Sequence, residues 1–125
     1  MGFLDGLTGN ASRVDPGAVA QEYSRLFGQG EPVHAAYQLV RDVFIFTDRR
    51  LVLVDKQGVT GRKTEFLSLP YRSIVMFSLE TAGHFDLEAE LRLWVSGQAT
   101  PIIRHLGRSA GAEDIVALLA QNSPR

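Results

Sequence analysis

The stretch Arg41-Asp-Val-Phe-Ile-Phe-Thr-Asp-Arg-Arg-Leu-Val-Leu-Val-Asp-Lys-Gln-Gly58 reads as two strands in succession. Two runs of branched and aromatic residues, 43–47 and 50–56, flank the pair Asp48-Arg49. Such residues suit a pleated, packed strand. A break this short joins only antiparallel neighbours, because a parallel crossover needs about a dozen residues. On either side of this pair, further strands are expected near 33–40, 63–69, 74–81, 86–95 and 100–106, which makes seven. The breaks at Arg41-Asp42, Gln57 to Gly61, Pro70 to Ser73, Ala82 to Phe85 and Ser96-Gly97-Gln98 are all short. The expected fold class is therefore all-β with flanking helices. An antiparallel meander of this length must curl into a barrel or sandwich to bury one face.

Both ends read as helices. Asp15 followed by Pro16 is a start signal, an N-cap acceptor and then proline at the first helical position. Val19, Tyr23, Leu26 and Phe27 recur at helical spacing, so the helix is expected over 16–27, with Gly28 and Gly30 stopping it. Near the other end, Ile115, Leu118 and Leu119 share a helical face over 112–121. Glu113 and Asp114 lie in the first turn of that helix, where carboxylates favour the dipole. The organisation expected is one domain over 1–125, with an N-terminal segment and helix over 1–30, strands over 31–107 and a C-terminal helix over 109–122.

Several strands are apolar on both faces. Val43 and Ile45 oppose Phe44 and Phe46, and Val52 and Val54 oppose Leu51 and Leu53. Val75, Phe77 and Leu79 oppose Ile74 and Met76. A sheet with one wet face alternates cleanly, so something must cover the outside here. The candidates are the N-terminal helix and a second subunit. The inner core is expected to hold Leu39, Phe44 or Ile45, Leu53, Phe77, Leu91 and Leu118.

Composition narrows the class of function. Of the 125 residues, 45% are apolar and 22% charged, and the net charge is −1. Broad nucleic-acid binding is not expected, since it needs a basic surface to displace counterions. There is no cysteine, hence no disulfide framework or thiolate metal site. The N-terminus has no basic region, and Asp5 and Gly6 interrupt its apolar run, so a cytoplasmic location is expected.

The run Glu80-Thr-Ala-Gly-His-Phe-Asp-Leu-Glu-Ala-Glu-Leu-Arg-Leu-Trp-Val95 carries the densest chemistry. Asp86, Glu88, Glu90, Arg92 and Trp94 fall at period two, and in a strand that places them on one face. The opposite face reads Phe85, Leu87, Ala89, Leu91, Leu93. A basic edge of Arg49, Arg50, Lys56, Arg62 and Lys63 would complement this ribbon across a subunit contact. Trp94 would anchor such an interface or lie along the rim of the sheet. His84 shares the region with Asp86, and the pair is the one place where a metal-dependent enzyme could be sought. The three histidines are scattered and no nucleophile, base and orienter converge. No catalytic residues, metal or cofactor are therefore assigned.

The block 41–58, with Ser78-Leu-Glu-Thr-Ala-Gly-His-Phe-Asp-Leu-Glu-Ala-Glu-Leu91 and the opening Met-Gly-Phe-Leu-Asp-Gly-Leu, resembles the bacterial pleckstrin homology (PH) domain family. The resemblance implies a seven-stranded, strongly bent antiparallel barrel capped by a C-terminal helix. It further implies a ring-shaped homo-oligomer without enzymatic activity, a pentamer being the first guess. The polar surface where neighbouring protomers' strands meet would take a protein partner of unknown identity. His84, Asp86, Glu88, Glu90, Arg92, Trp94, Arg49, Arg50, Arg62 and Lys63 are thus the candidate partner or subunit interface. The alternative is a peripheral membrane module using Phe3, Leu4 and Leu7 with a basic loop. Eukaryotic relatives often bind phosphoinositides through the loop between their first two strands. Here that loop is Arg41-Asp42, whose charges cancel, and the Lys/Arg clusters a membrane reading needs are absent.

Overall fold

The computed structural model describes residues 12–39, 42–57, 63–81, 89–107 and 111–124. Strand β1 (Ser12–Val14) leads into helix α1 (Pro16–Glu22) and a 3-10 turn over Ser24–Leu26. Strands β2 (Val33–Gln38), β3 (Asp42–Thr47), β4 (Arg50–Gln57) and β5 (Lys63–Pro70) follow. A second 3-10 turn, Tyr71–Ser73, leads to β6 (Ile74–Thr81), β7 (Ala89–Val95), β8 (Ile102–Gly107) and helix α2 (Ala112–Asn122). All neighbours pair antiparallel, in a five-stranded sheet of order β1-β2-β3-β4-β5 and a three-stranded sheet of order β6-β7-β8.

The seven expected strands are present, and β1 adds an eighth by pairing Ser12 to Val14 with Gln38 to Ala36. The meander divides at Pro70, which has no N–H to continue a ladder, and the turn at Tyr71–Ser73 carries the chain into the second sheet. Asp15 caps α1 as expected, its carboxylate accepting the Ala18 N–H at 3.1 Å. The helix is shorter than its apolar spacing suggested. It stops at Tyr23 (φ −108°, ψ 28°), and the residues that continue the pattern tighten into the 3-10 turn.

Apolar residues on both strand faces build two clusters. The inner one holds Tyr37, Phe44, Phe46, Leu51, Leu53, Leu91, Leu93 and Leu106, with α2 contributing Ala112, Ile115 and Leu119. Leu39 is buried there, while Phe77 and Leu118 pack against it half-buried. The outer one holds Ala36, Val43, Ile45, Val52 and Val54 beneath Val19 of α1, with Tyr23, Leu26 and Phe27 packed around it. The N-terminal helix is thus what covers the outside of β2, β3 and β4. Nothing comparable lies over β6 among the described residues, where Val75 is 65% and Met76 52% exposed.

Tyr37 has no exposed surface and meets the Phe46 ring edge-on at 6.2 Å. Its hydroxyl has no hydrogen-bond partner among the described residues. A buried unpaired hydroxyl costs about 1–3 kcal/mol. Tyr37→Phe keeps the ring and removes that group, so it is expected to raise stability by about 1 kcal/mol in a urea titration. A loss of stability would show that the hydroxyl is satisfied.

Candidate functional site

The charged row of the sequence lies on the outer face of the second sheet. Along β7, Ala89, Leu91 and Leu93 are buried, and Glu90, Arg92 and Trp94 are partly exposed, so the period-two reading holds over the described part of the strand. Register extends the row sideways. Glu90 stands between Glu80 and His105, Arg92 between Ser78 and Ile103, and Trp94 beside Met76. Directly opposed residues of an antiparallel pair share a face.

This surface has a polar and an apolar end. Arg92 Nη2 reaches Glu90 Oε1 at 2.5 Å and Glu80 Oε1 at 3.7 Å, while His105 Nδ1 lies 3.7 Å from Glu90 Oε2. The guanidinium thus sits between two carboxylates, which leaves one negative charge in excess among Glu80, Glu90 and Arg92. Glu80 is exposed and Arg92 only partly shielded, so these pairs contribute about 0–1 kcal/mol each. At the other end, Val75, Met76 and Ile103 are exposed around half-buried Trp94. The strand order also leaves β6 and β8 as open edges among the described residues. His84, Asp86, Glu88 and Arg62 lie outside the described residues, as do Phe3, Leu4, Leu7 and Arg41.

The basic residues do not make one edge. In the β4–β5 ladder Arg50 opposes Pro70 and Gln57 opposes Lys63, so Arg50 and Lys63 stand at opposite ends of that hairpin. Seven residues of strand separate them by roughly 20 Å. Arg50 is moreover a structural clamp. Its Nε donates to Glu31 Oε2 at 2.8 Å and its Nη2 to Glu31 Oε1 at 3.0 Å. Nη2 also donates to the Leu26 carbonyl, and Nη1 to Ser68 Oγ at 2.6 Å. The guanidinium carbon lies 5.9 Å from the Phe27 ring centre.

The Glu31 side chain is only 2% exposed. It also accepts the Gly28 N–H at 2.9 Å and the Thr47 hydroxyl at 2.8 Å. The Arg50 hydrogen bonds hold its carboxyl far down, at about pKa 2, against the upward push of burial. The Tyr71 hydroxyl donates to the Thr47 carbonyl at 2.8 Å, and burial pushes that phenol up. Sequence reasoning missed Glu31, Thr47 and Tyr71. Glu31 sits in a glycine-rich connection without periodicity, and its partner is 19 residues away. The available signal was an acid beside the Pro32 that opens the strand region.

No helix among the described residues is long and apolar enough to cross a membrane. The Bacterial PH domain model matches residues 2–123. YjqA of Bacillus subtilis (strain 168) is 52% identical over 121 residues, covering 96% of this chain and 97% of that protein. The pleckstrin homology domain from Shewanella amazonensis SB2B is 49% identical with a TM-score of 0.84, covering 99% of this chain and 100% of that one. A protein with a pleckstrin-homology domain from Shewanella loihica PV-4 is 44% identical with a TM-score of 0.81, over 93% of this chain and 99% of that one. Two antiparallel sheets around one inner core, an α-helix after the last strand and a match over nearly the whole length make this chain a member of the bacterial PH domain family.

Proposed function

We propose that the chain is a non-catalytic binding module that assembles into a homo-oligomeric ring and offers the outer face of β6, β7 and β8 to a protein partner. The observation that carries this reading is the contrast between the two outer faces. The apolar outside of β2, β3 and β4 lies under α1, with Phe66 of β5 46% exposed at its margin beside the Tyr23 ring, whereas Val75, Met76 and Ile103 stay exposed near Trp94 on a sheet with open edges among the described residues. Exposed apolar groups next to an open edge are an aggregation hazard unless another chain covers them. A head-to-tail contact that closes into a ring supplies that cover. Glu80, Glu90, Arg92 and His105 would then form the polar rim, where charge selects the partner and sets the rate of encounter more than the affinity.

The test is a pull-down from the native cell with the tagged chain, run beside the double variant Glu88→Lys with Glu90→Lys. The expected result is partner capture by the wild type, and a weakened ring or lost capture for the variant with an unchanged circular dichroism spectrum. Each rim pair contributes about 0.2–1 kcal/mol, so the fold should survive. Equal capture and assembly by both proteins would contradict a role for this face.

A further inference from the structure

The Arg50 clamp forms one wall of a cleft of about 770 Å³. Four segments enclose it: the turn and linker around Leu26 to Glu31, the β3–β4 turn, the β5–β6 corner and the end of α2. The volume falls within the roughly 300–1,000 Å³ typical of small-molecule sites. Phe27, Pro70, Tyr71 and Pro124 supply apolar lining, and Arg49, Arg50 and Arg72 supply cations against Glu31 and Asp48.

The cations are not equivalent. All three nitrogens of Arg50 are hydrogen-bonded and its charge is matched by Glu31. Arg49 is held loosely. Its bonds to the Gln29 and Gly30 carbonyls are 3.4 Å long, and its contact with Asp48 is 3.6 Å between two half-exposed side chains. Arg72 is exposed and makes no hydrogen bond or ion pair among the described residues. The cleft therefore carries one positive charge in excess, on a guanidinium whose planar fork suits a carboxylate or phosphate. The carbonyls near the end of α2 do not oppose an anion strongly, because Asn122 Nδ2 and Ser123 Oγ donate to Leu118 and Leu119 at 2.8 Å.

We propose that this cleft is a binding site for a small organic anion with an apolar body. Arg72, with Arg49 swinging beside it, grips the carboxylate or phosphate, and Phe27, Tyr71 and Pro124 take up the apolar part. The cleft shares no lining residue with the outer face of the second sheet.

Amide-shift titrations of the full chain with phenyl phosphate, phenylacetate, inorganic phosphate and phenol test the proposal. The two aryl anions separate a phosphate from a carboxylate preference. At least one should bind saturably with a Kd of about 1 mM, moving the amides of Gly28, Asp48, Arg49, Arg72 and Asn122. Inorganic phosphate and phenol, each lacking one half of the ligand, should bind at least about tenfold more weakly. Arg72→Ala should weaken the aryl anion about tenfold and Arg72→Lys less, with thermal stability unchanged. The proposal is overturned if neither aryl anion binds saturably, if the shifts fall elsewhere, if Arg72→Ala binds as well as the wild type, or if inorganic phosphate or phenol alone binds equally.

Discussion

Arg50→Ala is expected to destabilise the folded chain by about 3 kcal/mol at neutral pH, measured by urea denaturation. The loss is large because the substitution strands Glu31, whose side chain is 2% exposed and whose carboxylate is held by two bonds from Arg50. Only the Gly28 N–H and the Thr47 hydroxyl would remain on it. Replacing both residues with apolar ones of similar size should cost much less, since no charge is then left buried. The same pair sets an acid limb. Glu31 titrates at about 2 when folded, against 4.5 as the ordinary value. Its contribution is thus fully present above pH 4.5 and is lost as pH falls towards 2. At 1.36 kcal/mol per unit, that limb is worth about 3 kcal/mol at most. Arg50→Ala should flatten it. A wild-type stability that stays constant from pH 5 to pH 2 would contradict the clamp.

Ile45→Ala is the second large effect, expected at about 2–5 kcal/mol. Ile45 points away from the inner core, and in a sheet with one wet face its replacement would be nearly neutral. Here it is fully buried among Ala36, Val43, Val52 and Val54 beneath α1. Its loss should therefore match that of an inner position such as Leu53→Ala. A change below about 0.5 kcal/mol, the level of an ordinary surface site, would mean that α1 does not cover this face in solution.

Most of the fold was legible because its signals are local. Asp15-Pro16 announces α1, and the alternation of Ala89, Leu91 and Leu93 with Glu90, Arg92 and Trp94 announces which face of β7 is buried. The doubly apolar strands announced a cover, and for β2 to β4 the cover is α1. What could not be read depends on distant partners. β1 is three residues long and exists only by adding to the edge of β2. The adjacent arginines 49 and 50 look alike in sequence, yet one is clamped by a glutamate 19 residues away and the other is half exposed. The cleft is built from four segments that share no sequence pattern. Of the candidate interface, Glu90, Arg92 and Trp94 lie together, while Arg49, Arg50 and Lys63 are elsewhere on the first sheet.

In the proposed ring, a second copy of this chain covers the exposed apolar end of the β6–β7–β8 face. Light scattering coupled to gel filtration at micromolar concentration reads this cover as a mass, with Val75→Glu combined with Met76→Glu run alongside. The wild type should elute as a closed multiple of the 13.8 kDa chain, five copies being the first expectation, and the double variant as a folded single chain. A wild-type mass of 13.8 kDa would contradict the ring and the role assigned to this face.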